Sequence, residues 1–95
     1  VSAYVIVDID VTDRVRYEEY KRQAEATVTA FGGRYVVRGG ETHVLEGDWE
    51  PSRLVMLEFP TMERALEWWG SDEYRGPKEL RHATARSRMM VVQGV

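Results

Sequence analysis

The stretch AYVIVDIDV, residues 3–11, decides the fold. It is short and rich in β-branched residues, which favours a strand over a helix. Alternation puts Ala3, Val5, Val7 and Ile9 on one face, with Tyr4, Ile6, Asp8 and Asp10 on the other. Both faces begin apolar, and one turns acidic at its end. That is the pattern of a central strand covered on both sides, whose tip reaches a cavity or solvent.

Working outward, Thr12 and Asp13 supply side chains that can accept from a free first-turn N–H and so start a helix. Tyr17, Tyr20, Ala24, Val28 and Phe31 recur at spacings of three and four and form one apolar stripe. Glu18, Glu19, Lys21, Arg22 and Glu25 fill the opposite side. Gly32-Gly33 closes the helix, because glycine takes a left-handed cap without steric penalty. RYVVR then predicts a strand, Gly39-Gly40 a disruption, and THVLEG more strand. Residues 34–47 thus read as one long edge strand, bent at its glycines so that its second half reaches a partner subunit.

GDWEPS has turn chemistry, and RLVMLEF is another strand, with Val55, Leu57 and Phe59 on one face and Leu54, Met56 and Glu58 on the other. Pro60 stops it. Thr61 caps a helix carrying Ala65, Leu66, Trp68 and Trp69, of which one indole is expected in the core and one at its margin. Ser71 restarts the chain as a second capped turn, SDEY, and Pro77 suits the first turn of a further helical segment reaching about Ala85. SRMMVVQGV is the last strand. The order is β-α-β-β-α-β with its second helical region broken in two, one α+β domain over residues 1–95. It predicts a ferredoxin-like antiparallel sheet with the helices on one face. The other face, with Tyr4, Ile6, Leu54 and Met56, would be an uncovered apolar patch. Packing two sheets face to face as a homodimer covers it.

Composition narrows the function. Asp and Glu number 16 against 13 Lys and Arg, a net charge of -3, so nucleic acid is not the expected partner. Basic residues near the C-terminus (Lys78, Arg81, Arg86, Arg88) are interrupted by Glu79 and read as a solvated face with one or two strand-end arginines. The absence of cysteine removes disulfides, thiolate nucleophiles and cysteine metal sites, and fits a reducing cytoplasm. Apolar runs such as Met89–Val92 are too short to cross a bilayer. The chain opens directly into strand pattern, with no charged-then-apolar leader, so a cytoplasmic domain with no membrane partner is expected.

Taken in order, AYVIVDIDVTD, RYEEYKRQAEATV, GGRYVVRGG, VLEGDW, RLVMLEFP and SDEY resemble one family over essentially the whole chain. It is the bacterial domain-of-unknown-function family number 1330, of the dimeric α/β barrel superfamily. One departure is Arg14, where relatives often place proline after the capping Asp13; it touches the start of the helix only. The resemblance implies a ferredoxin-like fold, a two-fold dimer closing into a barrel, and no settled activity. More distant members of that superfamily include cofactor-free monooxygenases of aromatic polyketides, muconolactone isomerase, heme-binding proteins and stress-responsive proteins. So varied a set implies a cavity and not a particular reaction.

Individual residues carry competing readings. Arg38-Gly39-Gly40 lacks the third glycine and following helix of a dinucleotide fingerprint. It is either a bulge or bend on an edge strand, or it turns Arg38 into the inter-sheet cavity to hold a carboxylate or enolate. Glu58 is either a structural partner of Arg38, Arg53 or Arg86, or a proton-transfer base whose pKa is raised by an apolar cavity. His43 reads as a strand residue on either face, His82 as a surface residue, and no histidine–carboxylate spacing suits a metal. Tyr74 either meets a ligand or plugs the core with its hydroxyl at the rim, Asp8 could face the cavity, and Trp49 suits a dimer contact. The expected function is a homodimer that binds a small aromatic or carboxylated metabolite between its sheets without a held cofactor. Glu58 or His43 would be the base, and Arg38, Tyr74 and Asp8 the ligand contacts, for proton transfer or monooxygenase-like chemistry. The alternative is a non-catalytic ligand sensor or scaffold dimer.

Overall fold

The computed structural model describes residues 1–95. The chain folds as β1 (Ala3–Val11), α1 (Arg14–Ala30), β2 (Arg34–Arg38), β3 (Leu54–Phe59), α2 (Met62–Trp69), α3 (Asp72–Thr84) and β4 (Ala85–Gln93). The four strands form one antiparallel sheet in the order β2-β3-β1-β4, the ferredoxin-like arrangement. β1 is central, as its pattern requires: Val5 faces Leu57 on one side and Val91 on the other.

Each helix starts on a side-chain cap. Asp13 accepts from the Arg16 N–H (3.2 Å), Thr61 from Arg64 (3.1 Å) and Ser71 from Tyr74 (3.1 Å). All three helices cover one face of the sheet. There Ala3, Val5, Val7 and Ile9 of β1, and Val55, Leu57 and Phe59 of β3, meet Tyr17, Tyr20, Ala24 and Val28 of α1. Trp68 of α2 completes this core. Its ring lies 5.4 Å from Phe59 and 4.1 Å from Tyr74, and its Nε1 donates to Thr27 Oγ1 (3.0 Å). Trp69 is half exposed at the margin, so the two indoles divide as expected.

The structure corrects three boundaries. β2 ends at Arg38, and no second half of a long edge strand follows; residues 41–50 are an exposed loop without strand. Strand pattern alone does not order a segment that finds no ladder partner within its own chain. Pro77 lies within α3, not at the start of a new helix. β4 begins at Ala85, directly after Thr84.

A further irregularity matters more for function. The β2–β3 register slips between Tyr35 and Val37, so that Val36 is an extra, bulged residue. A one-residue slip exchanges the two faces of a strand. Arg38 therefore pairs with Val55 and shares the helix-covered face with Tyr35, where plain alternation would put it on the opposite face.

The uncovered face carries Ile6, Leu54, Met56, Met90 and Val92, with Asp8 among them. Asp8 ties down the chain ahead of β3. Its carboxylate accepts from Trp49 Nε1 (3.0 Å) and the Ser52 N–H (3.0 Å), and meets Arg88 at 3.5 Å. The Trp49 hydrogen bond above all, opposed in part by desolvation, holds the Asp8 carboxyl below its usual range.

Two predictions follow from these contacts. Trp68→Ala should destabilise the fold by about 3–5 kcal/mol, while Trp69→Ala should cost much less, as read by chemical denaturation. A carboxyl depressed in the folded state stabilises above its unfolded value and loses that contribution as pH falls through the folded value. Asp8→Asn should therefore be less stable than wild type at neutral pH, with the gap closing below about pH 4. A gap independent of pH in urea titrations would show that the carboxylate charge does not anchor Trp49.

Candidate functional site

The expected site residues do not converge. Arg38 lies on the helix-covered face at the sheet edge, paired with Glu25 of α1 (3.1 Å) and stacked 4.1 Å over the Tyr35 ring. It does not enter the space in front of the uncovered face, because the bulge turned it away. Glu58 does lie on the uncovered face, but as a structural partner. It accepts from Ser2 Oγ (2.7 Å) and Arg34 Nε (2.8 Å), with the Tyr4 hydroxyl at 3.4 Å. The Ser2 hydrogen bond first, and Arg34 next, lower its pKa, the reverse of the raised value expected of a base. Its cation is Arg34, not Arg38, Arg53 or Arg86. His43 stands on the exposed loop, not on a strand, beside Glu41 at 2.7 Å. Asp8 is occupied by the contacts already described.

Tyr74 is the exception, and it leads to the densest polar cluster in the interior. It is fully buried, with its hydroxyl inside the core and not at the rim. That hydroxyl lies 2.8 Å from the Tyr20 hydroxyl and accepts from Arg81 Nε (3.3 Å). Arg81 also donates through Nη1 to Ser87 Oγ of β4. Arg81 is 3% exposed and belongs to none of the chain's ion pairs. A buried charge ordinarily requires an opposite charge, so this is the least expected feature of the interior. Its partners are neutral oxygens, helped by the negative end of α3, in whose last turn it sits. Tyr20 cannot act as a counter-charge, because burial and the neighbouring Tyr74 drive its pKa far up and keep it a phenol.

Arg81 lines a cleft of about 580 Å³ bounded by β4, α2 and α3. Nine of the twelve lining residues are apolar, among them Trp68, Trp69, Leu66, Met89 and Val91. Lys78 fixes the outer indole, with Nζ 3.7 Å above the Trp69 ring and donating to the Trp69 carbonyl (2.8 Å). His82 also lines this cleft; partial burial, then Arg81 and Lys78, lower its pKa and favour the neutral imidazole. An apolar cleft with one buried guanidinium and one neutral imidazole can hold a planar apolar body, neutralise its anionic end and accept a proton. No three His, Asp or Glu side chains gather as a metal site would need, and no helix is long and apolar enough to cross a membrane.

Charge counting assigned Arg81 to a solvated face. Spacing held the opposite signal: Tyr74, Pro77, Arg81 and Thr84 recur at three and four, and all four are buried. The arginine stands on the apolar stripe of α3.

With this geometry in hand, comparison with known proteins gives the following. The description of a domain of unknown function (DUF1330) matches residues 2–95. No curated protein sequence matches the chain. Among solved structures, a protein of unknown function from Rhodopseudomonas palustris superposes with TM-score 0.80 at 18% identity, covering 99% of this chain and 82% of that one. SnoaB, a cofactor-independent oxygenase from Streptomyces nogalater, superposes with TM-score 0.64 at 8% identity, covering 99% and 93%. A dimeric ferredoxin-like protein of unknown function from Jannaschia gives TM-score 0.66 at 11% identity, covering 99% and 100%. At such identities these likenesses establish the shared fold alone. The family match spans nearly the whole sequence, and the chain belongs to the family of the domain of unknown function DUF1330.

Proposed function

We propose that this chain is a homodimeric metabolite-binding protein whose ligand is a small, largely apolar anion. The ligand would lie in the cleft between β4 and the α2–α3 layer, not between the two sheets. The observation that carries this reading is Arg81, a buried guanidinium without a carboxylate, at an apolar cleft large enough for a drug-sized molecule. Its Tyr74 and Ser87 contacts fix the guanidinium before a ligand arrives, which lowers the ordering cost of binding. Trp68 and Trp69 supply aromatic surface for a planar body. Aromatic carboxylates and enolates have the matching chemistry.

Thermal-shift and fluorescence titrations with a panel of aromatic acids and 1,3-dicarbonyl compounds test the reading. At least one compound should raise the melting temperature of the wild type. Arg81→Lys keeps the charge but loses the planar fork, and should weaken that compound about tenfold. Equal responses from the two proteins would remove Arg81 from the site.

The dimer is supported by the uncovered sheet face, where Met90 is 64% and Val92 45% exposed beside Ile6, Leu54 and Met56. The dimeric Jannaschia neighbour lends the arrangement precedent. Light scattering coupled to size exclusion at micromolar concentration should give twice the chain mass, and Met90→Asp should shift the protein toward monomer. A wild-type monomer under these conditions would refute the dimer and leave the cleft reading standing.

A further inference from the structure

A second arginine stands without an acidic ion-pair partner, on the opposite flank of β1 from Ser87. Arg53 immediately precedes β3, and its carbonyl accepts from the Ile9 N–H (2.8 Å). Its Nε is sealed from solvent and meets no hydrogen-bond partner, and none of the chain's ion pairs includes it. The guanidinium packs against Gly39. A Cβ there would come within 2.2 Å of Nη1 and 2.6 Å of Cζ. Gly39 also has φ +69°, a conformation side chains avoid, and its N–H donates to the Leu54 carbonyl (2.8 Å). The glycine is thus doubly required, for the turn and for the space the guanidinium occupies.

Arg53 separates two spaces. On the inner side is a cavity of about 20 Å³, lined with Tyr17, Tyr20 and Tyr35, with room for about one water molecule. On the outer side is a polar cleft of about 530 Å³ between the start of α1, the Gly39-Gly40 turn and the chain ahead of β3. Arg14 and Lys21 join Arg53 in its lining, against Asp10 and Glu18. Glu18 is already engaged by Lys21 (3.1 Å), while Asp10 is opposite Arg86 in the β1–β4 register and forms no ion pair. Arg53 and Arg14 are left as cations with no carboxylate of their own.

We propose that Arg53 and the Gly39-Gly40 turn form a second binding site, distinct from the Arg81 cleft, for a small oxyanion, either a carboxylate or a phosphate. The anion sits in the outer cleft against the guanidinium, where two of its oxygens can face a planar donor pair. The one-water cavity behind is too small for it.

Nitrogen-15 NMR of the intact chain tests this, reading the arginine Nε–H signals and the Gly39 and Gly40 amides. Benzoate and inorganic phosphate are titrated separately at constant ionic strength, with chloride as control. The Arg53 Nε–H and Gly39 signals should move and saturate with at least one probe. Saturation by benzoate alone assigns a carboxylate ligand, and saturation by phosphate alone a phosphate. Arg53→Lys should weaken the Gly39 response about tenfold, and Arg81→Lys should leave it unchanged. Gly39→Ala, checked for folding by circular dichroism, should lose it as well. Shifts that never saturate, or that match chloride, overturn the proposal and identify an adventitious ion only. Shifts confined to Arg81 and its neighbours overturn it while supporting the separate cleft.

Discussion

The covered side of the sheet is organised by the hydrogen bond between the Tyr20 and Tyr74 hydroxyls. Two phenols brought into an apolar interior must find partners, since each unsatisfied hydroxyl costs about 1–3 kcal/mol. They satisfy one another across α1 and α3, and so fix how those helices lie over β1 and β3. Tyr74 stacks on Trp68, Trp68 on Phe59, and the Trp68 indole reaches back to Thr27 of α1. The remaining lone pairs of Tyr74 make room for a donor, and Arg81 fills it. Its position at the cleft is a consequence of how the two phenols close the core.

The chain treats its arginines in two ways. Arg34 and Arg38 are paired with Glu58 and Glu25 and serve the sheet edge. Arg53 and Arg81 are withdrawn from solvent to different degrees and form no ion pair. Such groups cost stability in the free protein, because desolvation is not offset by an opposite charge. A fold that tolerates two of them, on either flank of β1, has kept positive potential where it does not help folding.

Much of this architecture was legible in the residues. The alternation of AYVIVDIDV located the central strand, the caps at Asp13, Thr61 and Ser71 located the helix starts, and the stripe from Tyr17 to Val28 located the core face of α1. These signals are local and periodic. What escaped depends on registers and contacts that no period encodes. The extra residue at Val36 reversed Arg38, and only pairing with β3 reveals it. THVLEG has strand composition but no neighbour in this chain to pair with. Glu58 was assigned to the correct face, yet its neighbours are Ser2 and Arg34, which local pattern does not bring near it. Arg81 was hidden by arithmetic, since a charge count overrides position. Its place on the Tyr74–Pro77–Thr84 stripe was readable all along.

The junction between α3 and β4 has a mechanical consequence. Thr84 ends the helix and Ala85 begins the strand, so no slack separates them. The Thr84 carbonyl also accepts from the Thr12 and Asp13 N–H groups (2.8 and 3.0 Å), which clamps the junction to the end of β1. Arg81 bridges this joint by holding Ser87 on the far side. The last helical turn and the edge strand are therefore joined directly, with the end of β1 as their common anchor. Met90 and Val92, on the opposite side of the sheet, belong to the same strand as Ser87, with no loop between them and the buried guanidinium.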